Sequence, residues 1–124
     1  MLAIGTDIVA VERVYSVWQR HGERFSARIL TPAECARCAA APQPWRFLAK
    51  RFAAKEAIAK SLGCGIGVAL SWQDLQIDAL ASNAPRVRLS PRAAAVAADT
   101  GGSRVLLSIS DEREYAVAFA ALLA

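Results

Sequence analysis

The chain has 124 residues, a formal net charge of +4 and 55% hydrophobic residues before glycine is counted, against about 45–50% with glycine included in typical soluble domains. That length makes one domain, residues 1–124, at roughly 100–200 residues per domain, and the composition excludes a disordered chain. A domain so small buries only about two-thirds of its unfolded-chain surface, so the apolar surplus predicts a face covered by another subunit.

Leu2, Ile4, Thr6 and Ile8 alternate with Ala3, Gly5 and Asp7, which predicts an opening strand. Asp7 falls near its carboxyl end, two residues after Gly5, whose bare backbone would admit a ligand. From Ala10 to about Arg20 the period turns helical, with Val14, Val17 and Trp18 as the apolar stripe and Arg13, Val17, Arg20 and Arg24 on a neighbouring one; Gly22 marks the stop. Thr31-Pro32-Ala33-Glu34 is a capping box with proline at the first helical position, opening a short helix that ends before Pro42 and Pro44. Trp45 to Leu62 is the longest helix, rich in alanine, free of internal glycine and proline, and closed by Gly63. Past the glycine-rich residues 63–67, Trp72, Leu75 and Ile77 mark a strand that pairs across a turn with Arg86–Leu89. Ser90-Pro91 caps a short helix ending at Gly101-Gly102, and Arg104–Ser110 and Tyr115–Leu123 are two strands joined by the charged turn 111–114. The order predicts an α+β fold with helices packed on a mostly antiparallel sheet.

The longest clean apolar run, Tyr115 to Ala124, is far shorter than the ~20 residues of a spanning helix, so no membrane segment is expected. The N-terminus meets Asp7 with no basic stretch before it, which argues against a secretory signal and for the cytoplasm. Cys35 and Cys38 form a C-x-x-C without a second pair or a nearby histidine, and Cys64 stands alone, so all three read as small helix or loop residues. Ser108, Ser110 and Asp111 do not indicate a hydrolase, because the one histidine, His21, lies in the basic helix. Charge is concentrated: residues 13–60 hold ten lysines and arginines against three acids, a balance of +7. Such a cluster implies an anionic partner.

Three charged residues in the long helix stand out, Lys55, Glu56 and Lys60. Glu56 and Lys60 share a helix face and by themselves make an ordinary i,i+4 ion pair. Together with Asp7, however, they supply two carboxylates and a lysine, the hard oxygen donors and point charge that a magnesium–polyphosphate site requires.

At these residues the chain resembles a known family. Gly5-Thr6-Asp7-Ile8-Val9 followed by Arg13, and Phe52-Ala53-Ala54-Lys55-Glu56-Ala57-Ile58-Ala59-Lys60 followed by Gly63-Cys64-Gly65-Ile66, are similar to the two signatures of the 4′-phosphopantetheinyl transferases. The length resembles the small bacterial type, the holo-[acyl-carrier-protein] synthases. The resemblance implies transfer of the phosphopantetheine arm of coenzyme A to a serine of apo acyl carrier protein, dependent on Mg²⁺, releasing adenosine 3′,5′-bisphosphate and serving fatty acid synthesis. It implies Asp7 and Glu56 as magnesium ligands and Lys60 as the cation at the reacting phosphates. Either Glu56 or a metal-bound water would take the serine proton. Gly63 and Gly65 would lie along the substrate, while Arg51 and Ser110 would contact the nucleotide. Acyl carrier proteins are acidic, so Arg13, Arg20, Arg24 and Arg28 would dock them. The resemblance further implies a homotrimer with active sites between subunits. One position departs: several relatives have S-x-S-H where this chain has Ser108-Ile109-Ser110-Asp111. The alternative, a small basic α+β nucleic-acid-binding module, would need aromatics among the basic residues of an exposed sheet, whereas Trp45, Phe47 and Phe52 fall on a helix; no nucleic acid is expected.

Overall fold

Strand β1 (Ala3–Ala10) alternates as its sequence demands, with Gly5 and Val9 buried and Ile4 and Ile8 facing outward, in a computed structural model that describes residues 1–124. It pairs antiparallel with β5 (Tyr115–Leu123), which in turn pairs antiparallel with β4 (Arg104–Asp111), giving the order β1-β5-β4. Strands β2 (Leu75–Ala79) and β3 (Pro85–Leu89) form a separate hairpin. The sequence suggested one sheet; β3 comes up beside β4 but no ladder bonds join them.

Helix α4 (Pro44–Leu62) lies across the inner face of the three-stranded sheet. The buried residues of β5 are Ala116, Ala118, Ala120 and Leu122, and α4 answers with Ala53, Ala54, Ala57 and Ile58. Small side chains on both surfaces let helix and sheet approach closely. The approach is closest at Gly5, where an added Cβ would run into the Ala57 carbonyl oxygen and come within 2.7 Å of the Ser61 nitrogen. The bare backbone of Gly5 is therefore filled by α4, and the expectation of a ligand there is corrected.

Helix α1 (Val11–His21) ends at Gly22, whose φ of 52° turns the chain into a second short helix, α2 (Glu23–Ile29), that sequence periodicity did not separate. Arg24 and Arg28 consequently stand on α2, and not in line with Arg13 and Arg20 on α1. Helix α3 (Pro32–Ala40) carries the expected capping box: the Glu34 N–H donates to Thr31 Oγ1 (3.3 Å) and the Thr31 N–H to Glu34 Oε1 (2.8 Å). Helix α5 (Pro91–Ala98), capped by the Ser90 hydroxyl, connects the hairpin to β4.

Glu34 also does what its sequence position does not reveal. Lys55 on α4 is fully buried and donates to Glu34 Oε1 at 2.6 Å, to the Ile29 carbonyl at 2.8 Å and to the Trp72 carbonyl at 3.2 Å, while the Ile77 N–H donates to Glu34 Oε2 at 2.8 Å. Burying this pair is tolerable because nearly every donor and acceptor is matched. It ties α2, α3, α4 and β2 together, so Lys55 belongs to the core and not to the candidate site.

Replacing Gly5 with alanine forces backbone against backbone, and overpacking of this kind costs about 1–3 kcal/mol. The Gly5→Ala variant is expected to unfold at a lower urea midpoint with an unchanged slope; an unchanged midpoint would refute the close contact.

Candidate active site

Asp7 lies on the inner face of β1, one residue after Thr6 and directly opposite Ala118 of β5. Because Gly5 brings α4 so near, the last turns of that helix meet the middle of the strand, where Asp7 stands three residues short of the carboxyl end that the sequence suggested. Lys60 donates to the Thr6 carbonyl at 2.9 Å and to Asp7 Oδ1 at 3.2 Å. Lys60 thus pairs with Asp7, whereas spacing alone suggested Glu56. The Asp7 side chain is 17% exposed and that of Lys60 51%, so the pair sits at the wall of an open cleft.

Glu56 lines the same cleft as Asp7, together with Arg13, Arg20, Phe25 and Phe52. Burial raises its pKa above the usual carboxylate range; the charge of Asp7 adds to this, and Lys60 partly offsets it. Two carboxylates facing one space, one of them reluctant to ionise, form a site that a cation would relieve. Hard oxygen donors of this kind suit Mg²⁺ or Ca²⁺.

The four arginines expected to dock a partner gather at the cleft despite their division between two helices. Arg13 and Arg20 line it directly. Arg24 and Arg28 line an adjoining depression with His21, and Val17 and Phe25 border both. Gly63 ends α4 in the left-handed conformation with φ 81°, and Gly65 also has positive φ, 64°. Neither glycine lines the cleft; they follow the helix end that carries Lys60.

Arg51 and Ser110 are not brought to the cleft. Arg51 faces the hairpin side of α4, in a cavity it shares with Arg37, Phe47, Lys50 and Asp111. Ser110 is exposed on β4, alternating with inward-facing Ile109. The sequence reading missed Arg37, Phe47 and Lys50 as neighbours of Arg51. The i,i+4 spacing of Phe47 and Arg51 on a helix was the available signal.

The sequence profile of the 4′-phosphopantetheinyl transferase superfamily matches residues 3–120. The chain belongs to that superfamily. It is 49% identical over 122 residues to the holo-[acyl-carrier-protein] synthase of Shewanella amazonensis, covering 98% of each chain. The same enzyme of Halorhodospira halophila is 47% identical over 120 residues, covering 97% of this chain and 95% of that one. Among solved structures, the holo-[acyl-carrier-protein] synthase of Neisseria meningitidis superimposes with a TM-score of 0.92 at 40% identity, covering 100% of this chain and 99% of that one. That of Helicobacter pylori in complex with coenzyme A gives 0.85 at 32% identity, covering 97% and 99%. This transferase chain shares with them the α+β fold whose β1–α4 packing creates the cleft, and no helix in it is long and apolar enough to cross a membrane.

The raised pKa of Glu56 makes a test in buffer free of divalent cations. The folded state holds the Glu56 proton more tightly than the unfolded state, so this group's contribution to stability falls as pH rises from the ordinary carboxylate range through the raised pKa. Glu56→Gln is expected to be at least as stable as the parent at neutral pH, with the difference vanishing in acid. A parent clearly more stable than the variant at neutral pH would contradict the assignment.

Proposed function

We propose that the chain transfers the 4′-phosphopantetheine group of coenzyme A to a serine of apo acyl carrier protein, releasing adenosine 3′,5′-bisphosphate, and so works as a holo-[acyl-carrier-protein] synthase. The observation that carries this reading is the convergence of Asp7 and Glu56 on one cleft, with Lys60 bonded to Asp7 beside it, in a chain of this superfamily. The Helicobacter pylori relative solved with coenzyme A supports the choice of donor.

Asp7 and Glu56 fit a bound Mg²⁺: both are hard oxygen donors, and their mutual repulsion is what a small divalent cation removes. When bound, the ion would neutralise the coenzyme A pyrophosphate and the charge that develops on its oxygens during transfer. Lys60, half exposed beside Asp7, supplies a second positive charge for the phosphates. The serine oxygen attacks the phosphorus that bears the pantetheine arm, and the bond to the bridging oxygen of the pyrophosphate breaks. Glu56, facing the same cleft as Asp7, is placed to receive the serine proton. Gly63 and Gly65, lacking side chains beside Lys60's end of the helix, leave backbone open to the phosphopantetheine arm. Arg51 and Ser110 serve the nucleotide end.

The carrier binds across the mouth of the cleft, where Arg13, Arg20, Arg24 and Arg28 meet an acidic helical partner. The chain works as a homotrimer in the cytoplasm. The outer face of the three-stranded sheet supports the assembly: Ile4, Ile8, Leu106, Tyr115, Val117 and Phe119 stand exposed there side by side, an apolar area that a second copy would cover. Ser110 lies on that same face, so in the trimer it reaches a neighbour's site.

Incubating the protein with coenzyme A, Mg²⁺ and apo acyl carrier protein should add the phosphopantetheine mass to the carrier; an unchanged carrier mass overturns the proposal. Asp7→Ala and Glu56→Ala should each lower transfer by at least a hundredfold, as losses of electrostatic groups at a reacting centre do, with the melting temperature retained. Rates within a few-fold of the parent would remove them as metal ligands.

Docking through the arginines also makes association depend on salt, since exposed charges are screened over ~10 Å at 0.1 M ionic strength. The KM for carrier should rise steeply between low and moderate salt, and less steeply in Arg20→Gln. An unchanged KM would leave these arginines as solvated surface.

A further inference from the structure

The glycine-rich segment 63–70 leaves α4 just after Lys60 and is secured mainly at its two ends. The Gly63 N–H donates to the Lys60 carbonyl at 3.1 Å, and Leu70 is fully buried. Between them Ile66 packs partly against the core, whereas Cys64 and residues 67–69 are exposed, Val68 to 98%. Three of the five residues 63–67 are glycine, which gives the segment little stiffness of its own. One backbone bond closes its second half, from the Gly67 N–H to the Leu70 carbonyl at 2.7 Å.

One side chain from outside hydrogen-bonds to this segment. Arg92, in the first turn of α5, donates from Nε to the Ala69 carbonyl at 2.9 Å and from Nη2 to the Val68 carbonyl. No backbone N–H donates to either carbonyl. The third nitrogen of the guanidinium, Nη1, lies 3.9 Å from Asp74 Oδ2. Asp74 in turn accepts from the Ser71 N–H at 2.8 Å and from the Ser90 hydroxyl at 2.7 Å, and Ser90 caps α5. The base of this clamp is therefore fastened to the chain just beyond the loop, and its planar fork grips two successive carbonyls. A lysine ammonium, a point charge on a flexible stem, does not reproduce that geometry.

We propose that Arg92 is a positioning residue for the transfer: by clamping Val68 and Ala69 it orders the glycine loop along which the phosphopantetheine arm lies, and so strengthens coenzyme A binding without touching the substrate. The proposal rests on the functional reading above and deepens the role given there to Gly63 and Gly65. A Cβ added at Gly63, Gly65 or Gly67 would meet nothing within 4 Å, so the loop presents bare backbone to open space beside the helix end that carries Lys60. A ligand laid along such a backbone loses affinity when the loop must be ordered on binding, and a clamp that orders it beforehand removes that cost. Arg92 lies outside both family signatures, and the hairpin that precedes α5 returns it to the segment leaving α4.

The test compares the parent with Arg92→Gln and Arg92→Lys, measuring KM for coenzyme A and for the carrier, and the Kd of coenzyme A and of adenosine 3′,5′-bisphosphate, which lacks the arm. In Arg92→Gln both KM and Kd for coenzyme A should rise about tenfold, the equivalent of one hydrogen bond to a charged group. The kcat, the KM for carrier and the Kd of adenosine 3′,5′-bisphosphate should stay near the parent's values. Amides of residues 64–69 should exchange faster with deuterated solvent in the same variant. Arg92→Lys, which keeps the charge without the fork, should give an intermediate Kd and supplies the reading if the glutamine variant does not fold. A coenzyme A Kd within twofold of the parent's in the variants overturns the proposal. So does an equal loss for the two nucleotides, which would make Arg92 a general support of the fold. A parent that binds coenzyme A but leaves the carrier unmodified overturns the functional reading instead, and the two affinities still decide the role of Arg92; one that binds no coenzyme A overturns both.

Discussion

The contact of Gly5 with the backbone of α4 is the constraint on which the rest of this structure depends. A strand and a helix ordinarily stand apart by the thickness of two side-chain layers. Here one layer is missing at Gly5 and reduced to methyl groups along Ala116, Ala118 and Ala120 on one surface and Ala53, Ala54 and Ala57 on the other. The high alanine content of the chain acquires a structural reason in this seam. It draws the middle of β1 onto the last turns of α4, so that residues some fifty positions apart in sequence, Asp7 and Lys60, come within hydrogen-bond distance.

Helix α4 then divides its charges by angular position alone. Lys55 and Glu56 are adjacent in sequence, but about 100° separates neighbours around a helix. Lys55 turns into the core and locks onto Glu34 with every proton engaged, while Glu56 turns into the cleft. Four residues before Lys55, Arg51 faces the hairpin. One helix therefore anchors the fold, turns Glu56 and Lys60 toward Asp7, and presents an unsatisfied guanidinium to a second cavity. A group held in the core is fully hydrogen-bonded; those facing the cavities are held incompletely satisfied, as groups awaiting a charged ligand should be.

The two faces of the three-stranded sheet show a similar division. The inner face is closed by α4, whereas the outer face carries large apolar residues that alternate strictly with the buried alanines of β5. Alternation along a strand assigns side chains to faces but does not say which face a helix of the same chain covers. The apolar surplus noticed in the composition is concentrated on this outer face, together with Ser110, which a single chain holds away from its own cleft.

The sequence by itself determined the helices and strands of the α+β fold apart from α2, the capping box at Thr31, the stop at Gly63, and the family signatures that bear Asp7, Glu56 and Lys60. These are local properties, set by periodicity, caps and spacing within a few residues. It did not reveal the break at Gly22, because a positive φ is a choice glycine permits and does not compel. Nor did it show the separation of the hairpin from the main sheet, since alternation does not name a strand's partner. Only the tertiary structure decided that Lys55 belongs with Glu34 and Lys60 with Asp7, that the bare backbone of Gly5 receives a helix, and that Arg37 joins Arg51 on the Phe47 ring. Each of these is a meeting of distant segments, and the physical reason is common to them: which charges find one another is settled by how closely the layers pack.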